Sequence, residues 1–148
     1  MSRAIHVLNG PNLNMLGLRQ PGIYGSETLE DVERRCADHA ASCNVTVDFR
    51  QSNHEGVLVE ALHEARTDFD GVILNAGAYT HTSVALMDAI SASETPVIEL
   101  HISNVHAREA FRHKSFIAPV ALGVICGFGT RGYTLAMDAL ISHLEPGA

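Results

Sequence analysis

The chain has 148 residues, 46% of them hydrophobic and 18% charged, which is typical of one folded domain and unlike a disordered segment. Its net charge of −7, from 10 basic and 17 acidic side chains, disfavours a nucleic-acid partner, whose phosphate backbone requires a basic surface. No apolar run approaches the roughly 20 residues of a membrane span and the start lacks a leader pattern. We therefore expect a single cytoplasmic domain over residues 1–148 that binds no membrane.

Short apolar or β-branched runs alternate with segments of helical periodicity along the whole chain. The predicted strands are residues 4–8, 45–49, 71–74, 96–100 and 122–126. Three of these five are apolar with little alternation, which is typical of a parallel sheet covered by helices on both faces. We predict an α/β, flavodoxin-like fold with strand order 2-1-3-4-5, whose site lies beyond the carboxyl ends of the strands.

Helix starts and buried helix faces can be predicted from capping residues and from the helical period. Two capping boxes, Thr28 with Asp31 and Ser52 with Glu55, precede the first two helices. A third helix is predicted over residues 82–92, a short helical segment over 105–111 with Ser103 as its N-cap, and a final helix that stops at Pro146. The side chains assigned to buried faces are Leu29, Val32, Cys36, Ala40, Cys43, Leu58, Ala61, Leu62, Ala65, Ala85, Leu86, Ala89, Ile90, Leu135, Ala136, Ala139, Leu140 and Leu144.

About fifteen residues rich in Asn, Gly, Pro and Leu separate the first strand from the first helix. Most such connections have about 2–6 residues, and longer ones are often functional lids, although a plain surface loop is the alternative. This segment contains Arg19 and Tyr24, and glycines and prolines that provide hinges lie on both sides. Because a nearby guanidinium favours the phenolate form of a phenol, Arg19 and Tyr24 are candidates for a general base.

Two histidines, His81 and His101, follow the third and fourth predicted strands. Metal ligation is one reading, but apart from Glu99 neither histidine has a partner at the usual ligand spacing. On a strand, Glu99 and His101 share a face, so we predict a carboxylate that orients an imidazole rather than a metal site. A tyrosine base and a histidine acid suit removal of a proton next to a carbonyl together with loss of a hydroxyl.

Three other sequence features point away from common chemistries. Residues 127–132 match Gly-x-Gly-x-x-Gly, but no further strand with an acidic residue follows, so we interpret them as a tight turn and not as a dinucleotide site. Lys114 is the single lysine and its polar neighbours disfavour a Schiff base. Cys36 and Cys43 are separated by about 10.5 Å of helix rise, too far for a disulfide, so we expect buried free thiols.

Several motifs in a fixed order cover most of the chain: NGPNLNMLGLRQPGIYG, SNHEG, LNAGAYTHTSVALMDA, PVIELHISN and the spaced pattern from Ala107 to Tyr133. Together they resemble the type II 3-dehydroquinate dehydratases. The resemblance implies a lyase that uses neither metal nor organic cofactor and converts 3-dehydroquinate to 3-dehydroshikimate by anti elimination through an enolate. It leaves open whether the reaction serves the shikimate pathway or quinate breakdown.

The resemblance also implies a role for each residue of the reaction. Tyr24 is the base that removes the C2 proton, and Arg19 keeps it ionised. Asn12 holds the water that stabilises the enolate oxygen. His101, oriented by Glu99, protonates the departing C1 hydroxyl. The substrate-binding residues implied in the same way are Asn75, His81, Asp88, Ile102, Ser103, Arg108 and Arg112, the serine and isoleucine through their backbone N–H groups.

The same resemblance implies a homo-oligomer, a dodecamer built of trimers, in which Asp88 reaches a neighbouring subunit's site. A non-catalytic flavodoxin-like binding module is the alternative from another functional class. It would require a phosphate-binding loop after the first strand, where the sequence instead has Pro11 and Leu13. An inactive assembly protein of the same fold is a third reading, which retention of Arg19, Tyr24 and His101 disfavours.

Overall fold

The computed structural model describes residues 2–18 and 26–146. They form a parallel five-stranded sheet in the order β2-β1-β3-β4-β5, as predicted. The strands are β1 (Ala4–Asn9), β2 (Thr46–Gln51), β3 (Gly71–Asn75), β4 (Val97–His101) and β5 (Gly123–Cys126). The α-helices are α1 (Leu29–Ser42), α2 (Glu55–Asp68), α3 (Val84–Ser93) and α4 (Gly132–Leu144).

Each face of the sheet carries its own apolar core, because successive side chains of a strand point to opposite faces. Ile5, Val7 and Ile73 pack with α1 and α4 in one cluster. Leu8 and Val72 belong to the cluster on the other face, with α2 and α3. The central strands are therefore buried on both sides, which explains why their sequences are apolar without alternation.

The helix starts confirm one predicted capping box and refute the other. Thr28 caps α1: its N–H donates to Asp31 Oδ2 (3.0 Å) and its Oγ1 accepts from the Asp31 N–H (3.2 Å). The Ser52–Glu55 box is wrong, because α2 has His54 as its N-cap. Ser52 Oγ instead accepts from the His54 N–H (3.0 Å), so this serine stabilises the turn before the helix and not the helix itself.

The segment after β4 also differs from the prediction. Residues 105–111 form two 3₁₀ turns, Val105–Ala107 and Ala110–Arg112, in place of one short helix. The N-cap of the first turn is Asn104, not Ser103, because the Asn104 Oδ1 accepts from the His106 N–H at 3.1 Å. The chain therefore leaves β4 through a bend at Ile102 and Ser103 before the first turn begins.

The buried faces of the helices are narrower than the periodicity predicts. Every residue predicted to be buried on α2 is buried, but Ala85 on α3 and Leu135 and Ala139 on α4 are exposed, Leu135 by 40%. Tyr133 and Met137 fill the core on α4 instead. A helix on a sheet buries one stripe, so apolar residues at the edge of that stripe remain in solvent.

The cysteines of the structure are free thiols. Cys36 is buried, and desolvation raises the pKa of its thiol to about 12. Cys43 and Cys126 are only half-buried, so the prediction of buried thiols is right for Cys36 alone. Among the helices of residues 2–18 and 26–146, none is both long and apolar enough to cross a membrane.

The parallel register brings the carboxyl ends of the central strands to one edge. Asn9 of β1 lies opposite Asn75 of β3, and Leu74 lies opposite Glu99 of β4. Immediately after β1, the Gly10 N–H donates to the Asn75 carbonyl (2.7 Å). A Cβ at position 10 would lie 2.5 Å from the Ala76 carbonyl oxygen, so this close approach of two backbones requires glycine.

This contact generates a stability prediction with a matched control. Gly10→Ala should lower the free energy of unfolding by about 1–3 kcal/mol, because the added methyl group must displace backbone atoms. Gly56→Ala, in the first turn of α2, places its Cβ where no heavy atom lies within 4 Å. It should leave stability unchanged or raise it by up to about 1 kcal/mol. Urea denaturation of both variants measures the difference, and equal effects would contradict the close approach at Gly10.

Candidate active site

A cavity of about 170 Å³ lies beyond the carboxyl ends of β1, β3 and β4. Its volume is below the roughly 300–1,000 Å³ of pockets for drug-sized ligands, and it suits a small metabolite better than a dinucleotide. Eight residues that the sequence singled out line this one cavity: Asn12, Asn75, His81, His101, Ile102, Ser103, Arg108 and Arg112.

A buried acid–base pair forms the back of the cavity. His101 Nε2 lies 2.6 Å from Glu99 Oε2, and the two side chains are 6% and 3% exposed. Because a carboxylate only accepts hydrogen bonds, Nε2 carries the proton of this bond. The second carboxylate oxygen, Oε1, accepts from Ser115 Oγ (2.8 Å). Glu99 is thus fixed at both oxygens, and it fixes the imidazole ring in turn.

His81 lies beside this pair with its ring nearly parallel to that of His101. The ring centroids are 6.3 Å apart and the ring planes differ by 14°. His81 Nδ1 is 2.7 Å from the backbone carbonyl of Lys114, which can only accept, so Nδ1 carries the proton. This bond selects one tautomer and leaves Nε2 of His81 as the nitrogen available to a ligand. Lys114 therefore contributes its backbone to the site.

A chain of hydrogen bonds behind the cavity fixes the amide of Asn75. Asn75 Nδ2 donates to Tyr133 Oη (3.0 Å), and the Tyr133 hydroxyl donates to Asn9 Oδ1 (2.6 Å). Asn9 Nδ2 in turn donates to the Arg50 carbonyl (3.1 Å). Tyr133 is fully buried, and desolvation raises the pKa of its phenol well above the ordinary value. It therefore acts as a neutral hydrogen-bonding group.

Asn12, at the mouth of the cavity, adopts a left-handed backbone conformation with φ of 70°. Its N–H donates to Asn53 Oδ1 (3.0 Å), and the same oxygen accepts from Gln51 Nε2 (3.0 Å). The Tyr79 hydroxyl donates to the Asn53 carbonyl (2.9 Å). These three contacts hold an otherwise unfavourable conformation in place. The sequence does not predict Gln51, Asn53 and Tyr79 as supports of the site, although Asn53 belongs to the SNHEG motif.

Two arginines supply the positive charge of the cavity wall. Arg112 Nε donates to the Glu109 carboxylate at 3.2 Å, and its guanidinium lies 5.0 Å from the centroid of the Phe111 ring. Arg108 Nη1 donates to Ser103 Oγ (3.4 Å) and its Nε lies 3.7 Å from Glu109 Oε1. Both side chains are only partly exposed. An anionic ligand between them would be bound by their positive charge and by guanidinium N–H groups of fixed orientation.

One predicted site residue, Asp88, is placed apart from this arrangement. Asp88 lies exposed on α3 and does not line the cavity. Arg19 and Tyr24 lie outside the described residues. Met15 and Leu16, which come just before them in the chain, line the cavity and bring the chain to its mouth.

The assembled groups can bind an anion and transfer a proton. The two arginines and Asn75 provide fixed donors, and the Glu99–His101 pair can give a proton to a leaving oxygen. An imidazole held by a carboxylate at this distance is oriented for that purpose before substrate arrives.

Comparisons with known proteins agree on one family. The sequence model described as "Dehydroquinase class II" matches residues 3–141. The chain is 62% identical over 143 residues to a 3-dehydroquinate dehydratase from Jannaschia sp. (strain CCS1), with 97% of each chain covered. It is 64% identical over 140 residues to a 3-dehydroquinate dehydratase from Rhizobium johnstonii, covering 95% of this chain and 97% of the relative.

Solved structures give the same result for the fold. The type II dehydroquinase from Butyrivibrio crossotus DSM 2876 superposes with a TM-score of 0.92 at 46% identity, covering 95% of this chain and 98% of that one. The type II dehydroquinase from Propionibacterium acnes also gives 0.92, at 40% identity, with 96% and 98% covered.

The buried Tyr133 predicts a characteristic alkaline behaviour. The unfolded phenol ionises near pH 10, whereas the folded phenol, with its raised pKa, stays neutral. The stabilisation should therefore be complete below pH 10 and decline as the pH rises above it. Tyr133→Phe should cost about 1–3 kcal/mol at neutral pH, because Asn9 and Asn75 lose a buried partner. It should also make the decline above pH 10 shallower, leaving the part that comes from the buried Cys36 thiol.

Urea denaturation at several pH values measures both effects. Tyr79→Phe is the matched control, since Tyr79 is only half-buried. An ultraviolet titration should find one of the three tyrosines resistant to ionisation until the protein unfolds. A Tyr133→Phe variant with unchanged stability and the same alkaline decline would contradict the hydrogen-bond chain.

Proposed function

This chain belongs to the class II dehydroquinase family and catalyses the dehydration of 3-dehydroquinate to 3-dehydroshikimate in the shikimate pathway; on this premise we propose how its residues divide the reaction. The observation that carries the proposal is the buried Glu99–His101 pair at the back of a small cavity lined by two arginines. A non-catalytic binding module would have no need for a buried carboxylate aligned with an imidazole.

His101 is the general acid. As a general acid the ring is an imidazolium with a proton on each nitrogen: Glu99 holds the Nε2–H, so the Nδ1–H is the proton that serves the substrate. When the C1–O bond of the substrate breaks, the departing hydroxyl takes a proton from His101 and leaves as water. Glu99 touches the ring and not the substrate, and its role is to set the orientation of the acid. Ser115 supports Glu99 in that role through the bond to Oε1.

Tyr24 is the general base and Arg19 keeps it ionised. Removal of the C2 proton by the phenolate places negative charge on the C3 oxygen as an enolate. The enolate then expels the C1 hydroxyl and forms the C1=C2 double bond, conjugated with the C3 ketone. Asn12 holds the water that stabilises the enolate oxygen, and the network of Asn53 and Gln51 that fixes its backbone supports this assignment.

The remaining groups bind the substrate. The backbone N–H groups of Ile102 and Ser103 receive the carboxylate, with Arg108 and Arg112 adding positive charge on the same wall. Asn75 and His81 bind the ring hydroxyls. Two contacts support these assignments. The bond to the Lys114 carbonyl fixes the tautomer of His81, and the bond to Tyr133 fixes the orientation of the Asn75 amide.

The proposal extends to assembly and location. From the family resemblance we infer a dodecamer built of trimers, in which Asp88, exposed and outside the cavity of its own subunit, reaches the site of a neighbouring one. Residues 1–148 act as one catalytic domain in the cytoplasm. The reaction proceeds by proton transfers between side chains and substrate, and it requires neither a metal nor an organic cofactor.

The function is tested by adding 3-dehydroquinate to the purified protein and following the ultraviolet absorbance of the conjugated enone acid. The wild-type protein should produce this absorbance. Tyr24→Phe keeps the ring but removes the ionisable oxygen, so kcat should fall by about 10²–10⁴-fold with KM little changed.

Circular dichroism verifies that the variant folds. An unmodified protein that produces no absorbance at high enzyme concentration would overturn the function. A Tyr24→Phe variant that keeps more than about a tenth of the wild-type kcat would instead show that another group removes the proton.

A further inference from the structure

Three potential metal ligands converge between α1 and α4: His39, Cys43 and Asp138. His39 Nε2 lies 2.6 Å from Asp138 Oδ1 and 3.7 Å from Cys43 Sγ. All three ligand atoms are within 4.8 Å of one another. None of these residues lines the cavity described above, so the cluster is separate from the proposed catalytic groups.

The last turn of α1 fixes two of the three ligands. His39 and Cys43 are four residues apart, so they lie on one face of the helix. The Cys43 N–H donates to the His39 carbonyl (3.1 Å), which also accepts from Ser42 Oγ (2.7 Å). The spacing between the imidazole and the thiol is therefore set by helix geometry and not by flexible loops.

Core packing fixes the third ligand. Cys36 and Ala40 of α1 share one apolar cluster with Ala136 and Met137 of α4. Asp138 lies on α4, 99 residues after His39 in the chain. The packing of α1 on α4 places its carboxylate next to His39 at the exposed edge between the two helices. Asp138 is 58% exposed, so its carboxylate has room to rotate.

We propose that His39, Cys43 and Asp138 bind a zinc ion. Zinc takes imidazole nitrogen and carboxylate oxygen at about 2.0–2.2 Å and thiolate sulfur at about 2.3 Å, in tetrahedral geometry. Those bond lengths place neighbouring ligand atoms about 3.3–3.7 Å apart. The Nε2–Sγ distance of 3.7 Å fits directly. The imidazole and carboxylate need to separate by only about 1 Å, which the exposed Asp138 permits.

Hydrogen bonding alone accounts poorly for this convergence. Both Cys43 and Asp138 face the same nitrogen of His39, and one Nε2 cannot serve both as a normal hydrogen-bond partner. A cation at the common point satisfies all three at once. The thiolate and the carboxylate together carry two negative charges, which match Zn²⁺, and the C-terminal end of α1 adds a favourable dipole.

Two arginines, Arg35 and Arg131, line the same groove as His39. Arg35, one turn before His39, is bonded to Glu27 and to Thr130 Oγ1 (3.1 Å). Three protein ligands leave the fourth zinc position for water or another small ligand. The ion would link α1 to α4 across their exposed edge, so its main effect is on stability and not on the dehydration.

Zinc binding is measured by titration of the metal-free, full-length protein with ZnCl₂ in a calorimeter, and by thermal unfolding with and without zinc. We expect one zinc per protomer in this site. At free zinc about 100 times the Kd, mass action predicts a rise in Tm of about 5–10 °C. Substitution with Co²⁺ should give a thiolate-to-cobalt charge-transfer band, which reports on Cys43 directly.

Ligand variants assign the ion to these three residues. Cys43→Ala should abolish the cobalt band, and His39→Gln and Asp138→Asn should each weaken zinc binding at least tenfold, since changes to outer-shell partners alone cost about 10–100-fold. Asp138→Asn keeps the shape of the side chain and its exposed site, so the fold is preserved. The matched controls are Cys126→Ser, a half-buried thiol elsewhere, and His63→Gln, an exposed histidine on α2.

The controls should bind zinc like the wild-type protein. The proposal would be overturned by a wild-type protein that shows no saturable zinc binding. It would equally be overturned if binding and the Tm shift survive in the His39→Gln, Cys43→Ala double variant, because the ion would then lie elsewhere. Each measurement reports on the metal and not on turnover, so the outcome is independent of the proposed dehydration.

Discussion

The hydrogen bond between Glu99 and His101 is the interaction around which the cavity is organised. An acidic side chain on a central, buried strand is costly unless every polar atom has a partner. Here His101 and Ser115 engage both carboxylate oxygens, so the buried strand tolerates the group. The same contacts immobilise the imidazole. The hydrogen bonds that the buried carboxylate needs for folding therefore also orient the acid at the carboxyl end of β4.

The other side of the cavity depends on how the backbone leaves β1. Gly10 passes close to Ala76, and two residues later Asn12 takes a left-handed conformation held by Asn53. These contacts direct the chain across the strand ends, so that Met15 and Leu16 line the cavity. The cavity is therefore built from side-chain burial on β4 and from backbone geometry after β1. Both depend on the parallel register that aligns the strands.

Sequence patterns predicted the fold because few topologies are possible for a chain of this length in which apolar strands alternate with helices. They predicted the Glu99–His101 contact because i and i+2 on a strand share a face. Contacts between distant residues carry no such local signal, so the supports at Asn53 and Tyr133 were missed. The cap at Asn104 was misplaced because Ser103 is an equally good capping residue. His39 and Cys43 show ligand spacing in the sequence, but Asp138 joins them only through helix packing.

In the proposed mechanism Tyr24 removes the proton and His101 acts only on the departing hydroxyl. Incubation of His101→Ala with 3-dehydroquinate in D₂O, followed by NMR of the unreacted substrate, tests this division directly. We expect deuterium still to enter at C2 while 3-dehydroshikimate formation is nearly lost, because the enolate forms but cannot expel hydroxide. Loss of both exchange and dehydration would contradict it, since His101 would then be required for proton removal as well.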